Sequence, residues 1–146
     1  MDKINPKKNS IISFHNANTV MTPKGYSQSV EIDLGNCKMV LISGQLSLDK
    51  DGNIVGRNNL EKQTEQVFLN LKMIVEQAGG TFENIIKTGV FMTDISNLET
   101  LRKVRNKFIN IQNPPTSTLL QVSKLFTEDF LIEIEATAII PRETTS

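Results

Sequence analysis

The sequence has no tryptophan, one tyrosine, one cysteine and one histidine in 146 residues. Each scarcity excludes something. Cys37 has no partner within the chain, so no intrachain disulfide can form and a reducing compartment is compatible. One histidine, His15, beside that single cysteine cannot build an ordinary zinc site, so no metal is expected. Few aromatic rings mean few platforms on which nucleic-acid bases could stack. Net charge is missing too, because 16 basic residues balance 16 acidic ones. A nucleic-acid partner, which usually leaves a basic face, is therefore not expected. No run approaches the ~18 apolar residues of a membrane helix. The basic start, Met1 to Lys8, is not followed by an apolar segment, so no secretory signal is expected. A soluble cytoplasmic protein without a membrane partner is the expectation.

What is present reads as one domain, which the length accommodates with a core large enough to need neither disulfide nor metal. Residues 1–12 are polar and lysine-rich and are expected to be flexible, as is the tail 142–146; the single domain spans 13–141. Ser27 to Asp33 and Lys38 to Ser43 carry β-branched and apolar residues around a short connection, Leu34 to Cys37, and predict a hairpin. Asp49 to Asn53 is a turn. Val67, Leu71, Ile74, Val75 and Ala78 recur at three- and four-residue steps and predict a helix over 60–78. Asn58 with Glu61 is expected to cap its start, and Gly79-Gly80 to end it. Ile85 to Thr93 is a strand. Ser96 with Glu99 predicts a capping box opening a second helix, which buries Leu98, Leu101, Val104, Phe108 and Ile109 and stops at Asn113-Pro114-Pro115. Ser117 to Ser123 and Leu131 to Ile140 complete the order β-β-helix-β-helix-β-β.

That order predicts an α+β fold: a mixed sheet with two helices on one face. The other face is left bare, and the last strand shows its character. Ile132, Ile134, Ala136 and Ala138 point one way, to the helices; Glu133, Glu135, Thr137 and Ile139 point the other. Such a mixture suits burial against another copy, with polar groups lining clefts. Phe91 and Met92 also alternate, so one faces the core and one the bare side; the pattern does not say which.

Several segments coincide with one family. They are Gly25-Tyr26-Ser27-Gln28, Ile42-Ser43-Gly44-Gln45, Gln63-Thr64-Glu65-Gln66, Lys87-Thr88-Gly89-Val90-Phe91-Met92-Thr93-Asp94, Pro114-Pro115-Thr116-Ser117-Thr118 and Ile132-Glu133-Ile134-Glu135-Ala136. Their joint order and spacing, over residues 24–140, resemble the Rid family, also called YjgF or L-PSP. The resemblance implies a chorismate-mutase-like fold and a homotrimer with small-molecule clefts between subunits. Its best-known members hydrolyse reactive enamines and imines to a 2-oxo acid and ammonia, without cofactor or metal. It implies Glu133 as the catalytic, water-handling carboxylate. Tyr26, Ser43, Gly44, Thr116, Ser117 and Thr118 are implied as substrate-binding. Thr116 stands where active members carry an arginine that clamps the substrate carboxylate. A threonine hydroxyl cannot pair with a carboxylate as a guanidinium does.

Three functions compete. The first is a cofactor-free C=N hydrolase with a non-standard substrate, standard 2-imino acids being expected to turn over weakly or not at all. The second is a non-catalytic, metabolite-binding or regulatory trimer. The third, an endoribonuclease, is disfavoured by the absence of a basic face and of a histidine pair. Glu135, some 7 Å from Glu133 on the same strand face, is expected to be structural, though two carboxylates so placed can raise one another's pKa. Cys37, in or near a hairpin, is expected to be inert, and His15 to be structural or exposed.

Overall fold

Strict alternation in Ile132–Pro141 places Ile132, Ile134, Ala136, Ala138 and Ile140 on one face, and all five are buried. A stripe with helical spacing, Val67, Leu71, Ile74 and Val75, covers them. These two patterns fix where the core lies. The computed structural model describes residues 10–143; residues 1–9 and 144–146, the greater part of the ends expected to be flexible, lie outside the described residues.

The elements are β1 (Ile12–His15), β2 (Ser29–Asp33), β3 (Cys37–Gln45), α1 (Leu60–Gln77), β4 (Ile85–Met92), α2 (Leu98–Arg105), β5 (Thr116–Gln121) and β6 (Ile132–Pro141). The strands form one sheet in the order β1-β2-β3-β6-β4-β5. Only β4 and β5 pair in parallel. The expected α+β architecture, a mixed sheet with two helices on one face, is the one observed. A cluster of Phe68, Phe82 and Phe108, with ring centroids 5.2–5.8 Å apart, ties α1 to the chain after α2. Neither helix among the described residues is long and apolar enough to cross a membrane.

Four local features differ from the sequence expectation. β1 is an additional strand, and every residue in it is exposed. Pairing with β2, not burial, holds it, so it leaves little hydrophobic signal. The cap of α1 is Asn59, whose side chain accepts from the Lys62 amide at 2.9 Å. Asn58 instead takes a left-handed φ of 55°, which its short polar side chain tolerates. At the second helix Asp94, not Ser96, provides the first capping bond, accepting from the Ser96 amide at 2.8 Å over a 3-10 turn, Ile95–Asn97. Finally, α2 ends at Arg105, well before the proline pair; Phe108 and Ile109 pack on the core from the turn that follows.

Gln63 is the main polar tie between the helix layer and the chain leading into β6. It is fully buried. Its Nε2 donates to the Gly56 and Asp129 carbonyls, at 3.1 and 2.8 Å, and its Oε1 accepts from the Leu131 amide at 2.8 Å. One amide side chain thereby bonds backbone groups of two segments far apart in sequence, the loop before α1 and the loop before β6.

Candidate functional site on the bare sheet face

Cross-strand register assigns the residues of the uncovered face. One row runs Phe14, Val30, Leu41, Thr137, Lys87, Thr116 from β1 to β5. The next rows hold Glu135, Gly89 and Thr118, then Glu133, Phe91 and Leu120. The β1–β2–β3 side of the face is therefore apolar, with Phe14 and Leu41 exposed. The β6–β4–β5 side is polar in the first two rows and mixed in the third, where Phe91 and the exposed Leu120 stand beside Glu133. Phe91 lies on this face opposite Glu133, while Met92 is buried in the core, which decides the alternation that the sequence left open.

Two glycines shape the carboxylates. At the β3–β6 junction Ile42 pairs with Ala136 and Gln45 with Ile134, so Ser43 and Gly44 both stand against Glu135 alone. This is a β-bulge, a device that bends a strand and re-aims its neighbours. The Glu133 side chain lies over Gly44: a Cβ there would collide with its carboxylate, the Cδ being only 2.9 Å away. Glu135 leans the other way, over Gly89, where a Cβ would lie 2.8 Å from its Oε1. Burial, and secondarily the charge of Glu135, raises the Glu133 pKa above the ordinary 4.5.

The expected site residues divide into two groups. Tyr26, Ser43, Gly44 and Glu133 gather around the bulge. Tyr26 is exposed and shares a small hollow with Gly44, Gln45, Gln28 and Asn70. Ser43 Oγ donates to the Ser27 carbonyl at 2.7 Å, which anchors the segment leading to Tyr26. Thr116 and Thr118 belong to the second group, at the β5 edge. Thr116 Oγ1 donates to the Ile86 carbonyl at 3.1 Å. Ser117 falls on the opposite face, where its Oγ accepts from Thr88 Oγ1 at 3.0 Å; strand alternation separates it from its two neighbours.

Thr116 and Glu133 are far apart within one copy. Thr116 shares a row with Thr137, two strands away and four residues along β6 from Glu133. That is about 10 Å across and about 13 Å along the sheet, or roughly 16 Å in all. No small ligand of a single copy touches both. Cys37 pairs with Pro141 at the far end of β3, and His15 Nε2 stands 2.7 Å from Ser13 Oγ on β1, so neither meets Glu133.

Lys87 escaped the sequence reading as a site residue. Its alternation with Gly89 and Phe91 was the available signal, but reading it required knowing which strand face is bare.

Comparison with known proteins gives a consistent result. Residues 17–140 match the family described as Endoribonuclease L-PSP. A RutC family protein of Buchnera aphidicola (subsp. Schizaphis graminum) is 34% identical over 133 residues, 89% of this chain and 97% of that one. Among solved structures, RidA from an Antarctic Psychrobacter superposes with a TM-score of 0.74 at 31% identity, covering 87% of this chain and 98% of that one. TdcF of E. coli with bound serine gives 0.71 at 30% identity, with 89% and 98% covered. With the bulge, the paired carboxylates and the sheet order on record, the family match over residues 17–140 leads to one conclusion: this chain belongs to the Rid family, the YjgF or L-PSP group.

Proposed function

We propose that the protein is a cytoplasmic homotrimer whose clefts, closed between copies of the bare face, hydrolyse C=N bonds of small metabolites. The observation that carries this reading is the Glu133 carboxylate, seated over Gly44 with a raised pKa. C=N hydrolysis needs a group that takes a proton from attacking water and returns one to the departing nitrogen. A carboxyl group with a pKa moved towards neutrality does both better than an ordinary glutamate. The products are a carbonyl compound and ammonia, and no electron changes hands. The separation of Thr116 from Glu133 supports a cleft built from two copies, and the exposed Phe14 and Leu41 supply apolar surface to join them.

The substrate is non-standard in this reading. Without an arginine at 116 the best clamp for a substrate carboxylate is missing. One charge-assisted hydrogen bond contributes about 1.5–3 kcal/mol, so its loss costs about 10- to 150-fold in affinity. A non-catalytic metabolite binder is the second reading, and Thr116 is the observation that favours it. An endoribonuclease ranks last, because Lys87 is the one cation on the bare-face strand positions among the described residues.

Two measurements test the proposal. Light scattering after gel filtration is expected to give three chains per particle; a monomer stable at micromolar concentration removes the shared cleft. With an amino-acid oxidase making 2-imino acids in situ and semicarbazide trapping the remainder, turnover is expected at least about 10-fold below that of arginine-bearing relatives. Equal turnover shows that Thr116 is no handicap.

A further inference from the structure

We propose that Lys87 holds the anionic end of the ligand in this protein, doing from β4 what residue 116 cannot do from β5. The inference rests on the cleft reading above and names the chemistry of its ligand: a small molecule bearing a carboxylate, held by a single ammonium.

Lys87 pairs with Thr116 on one side and Thr137 on the other, and all three share the bare face. The spacing of neighbouring strands is about 4.8 Å, so the lysine stem, roughly 6 Å long, sweeps the space beside the Thr116 side chain. Thr116 itself directs its hydroxyl proton back to the Ile86 carbonyl.

The described strands carry two lysines, Lys38 and Lys87. Lys38 is on the helix side of the sheet and is bound to Glu31 at 2.9 Å. Lys87 is exposed and makes no ion pair among the described residues. Glu135 lines the same hollow of about 290 Å3, with Thr137, Gly89 and Leu41, yet rests over Gly89 without pairing with Lys87. An ammonium on a face that another copy covers requires an anion, since burying an unpaired charge is strongly unfavourable.

Geometry then sets selectivity. An ammonium is a point charge, so it holds a carboxylate through one contact and does not impose the planar, two-point alignment of a guanidinium. Binding of the anion persists while orientation of the reacting carbon loosens. The same looseness is the reason standard 2-imino acids are expected to turn over weakly.

The test compares 2-oxobutanoate with its uncharged amide by calorimetry, in the wild type, Lys87→Met, Lys87→Arg and the double variant Lys87→Met/Thr116→Arg. The wild type is expected to bind the acid more tightly than the amide. Lys87→Met is expected to lose about 10- to 150-fold in acid affinity with amide binding unchanged. Lys87→Arg, and the double variant with its cation on the neighbouring strand, are expected to recover the acid. Unchanged acid binding in Lys87→Met overturns the proposal. So does a parallel loss of acid and amide, or dissociation of the trimer in light scattering, either of which makes Lys87 a structural residue. A wild type that binds the amide but prefers no acid removes Lys87 alone; one that binds neither removes the cleft reading with it. Normal turnover in Glu133→Gln with Lys87-dependent acid binding removes the catalytic reading and leaves Lys87 standing.

Discussion

Glu133→Gln is expected to lower kcat for the preferred C=N substrate by about 100- to 10,000-fold, the usual contribution of a positioned acid–base group. Glutamine preserves the shape over Gly44 but neither takes nor returns a proton. The wild-type profile of kcat/KM against pH is expected to fall on the acid side through a pKa above 4.5, since burial and Glu135 both raise that of Glu133. The variant is expected to lose that limb. Stability moves oppositely. A carboxyl with a raised folded-state pKa binds protons more readily in the native than in the unfolded protein. Glu133 therefore favours the fold below its unfolded-state pKa and opposes it as pH rises through the folded-state value. At neutral pH Glu133→Gln is expected to unfold no earlier than the wild type. An unaltered kcat, or an acid limb that survives in the variant, would remove Glu133 from the chemistry.

Replacing Gln63 by leucine is expected to destabilise the protein by about 3 kcal/mol, despite similar volume. The leucine leaves the Asp129 carbonyl and the Leu131 amide without a partner, while the Gly56 carbonyl keeps its bond from the Asn59 amide. Each group buried unsatisfied costs about 1–3 kcal/mol, and loop relaxation towards water recovers part of the sum. For a chain of this size the loss is expected to lower Tm by roughly 10 °C. Leu131 immediately precedes β6, so the variant is also expected to loosen the strand that carries Glu133 and weaken ligand binding. Thermal unfolding followed by circular dichroism decides the matter. A Tm within one degree of the wild type means that water satisfies these groups equally well.

Much of the fold is legible in the sequence alone. Alternation in residues 132–140 and the three-to-four spacing in 60–78 specify a half-covered sheet and the helix stripe that covers it. Those patterns arise because burial selects residues at the repeat of the backbone itself, 2.0 for a strand and 3.6 for a helix. The family resemblance is carried by the same stretches, and it names Glu133, Tyr26, Ser43 and Gly44 as candidates, which the fold gathers around one bulge. Capping was less legible. Asn58 and Asn59 are chemically identical candidates, and only the backbone angles show which one turns left-handed and which one caps.

Strand pairing was decided by the tertiary structure alone. Nothing local to Ile12–His15 announces β1, because its contribution is a ladder of backbone hydrogen bonds with β2. Nothing local to Thr116-Ser117-Thr118 separates the middle hydroxyl from its neighbours until β5 is laid beside β4 and one face is covered. The same step puts Lys87 beside Thr116 and places Thr116 far from Glu133. Sequence records each residue's own preference for burial, so it specifies the elements and their faces. Which rows meet across the sheet depends on register, a relation between distant segments, and at this site register determines which charges stand together.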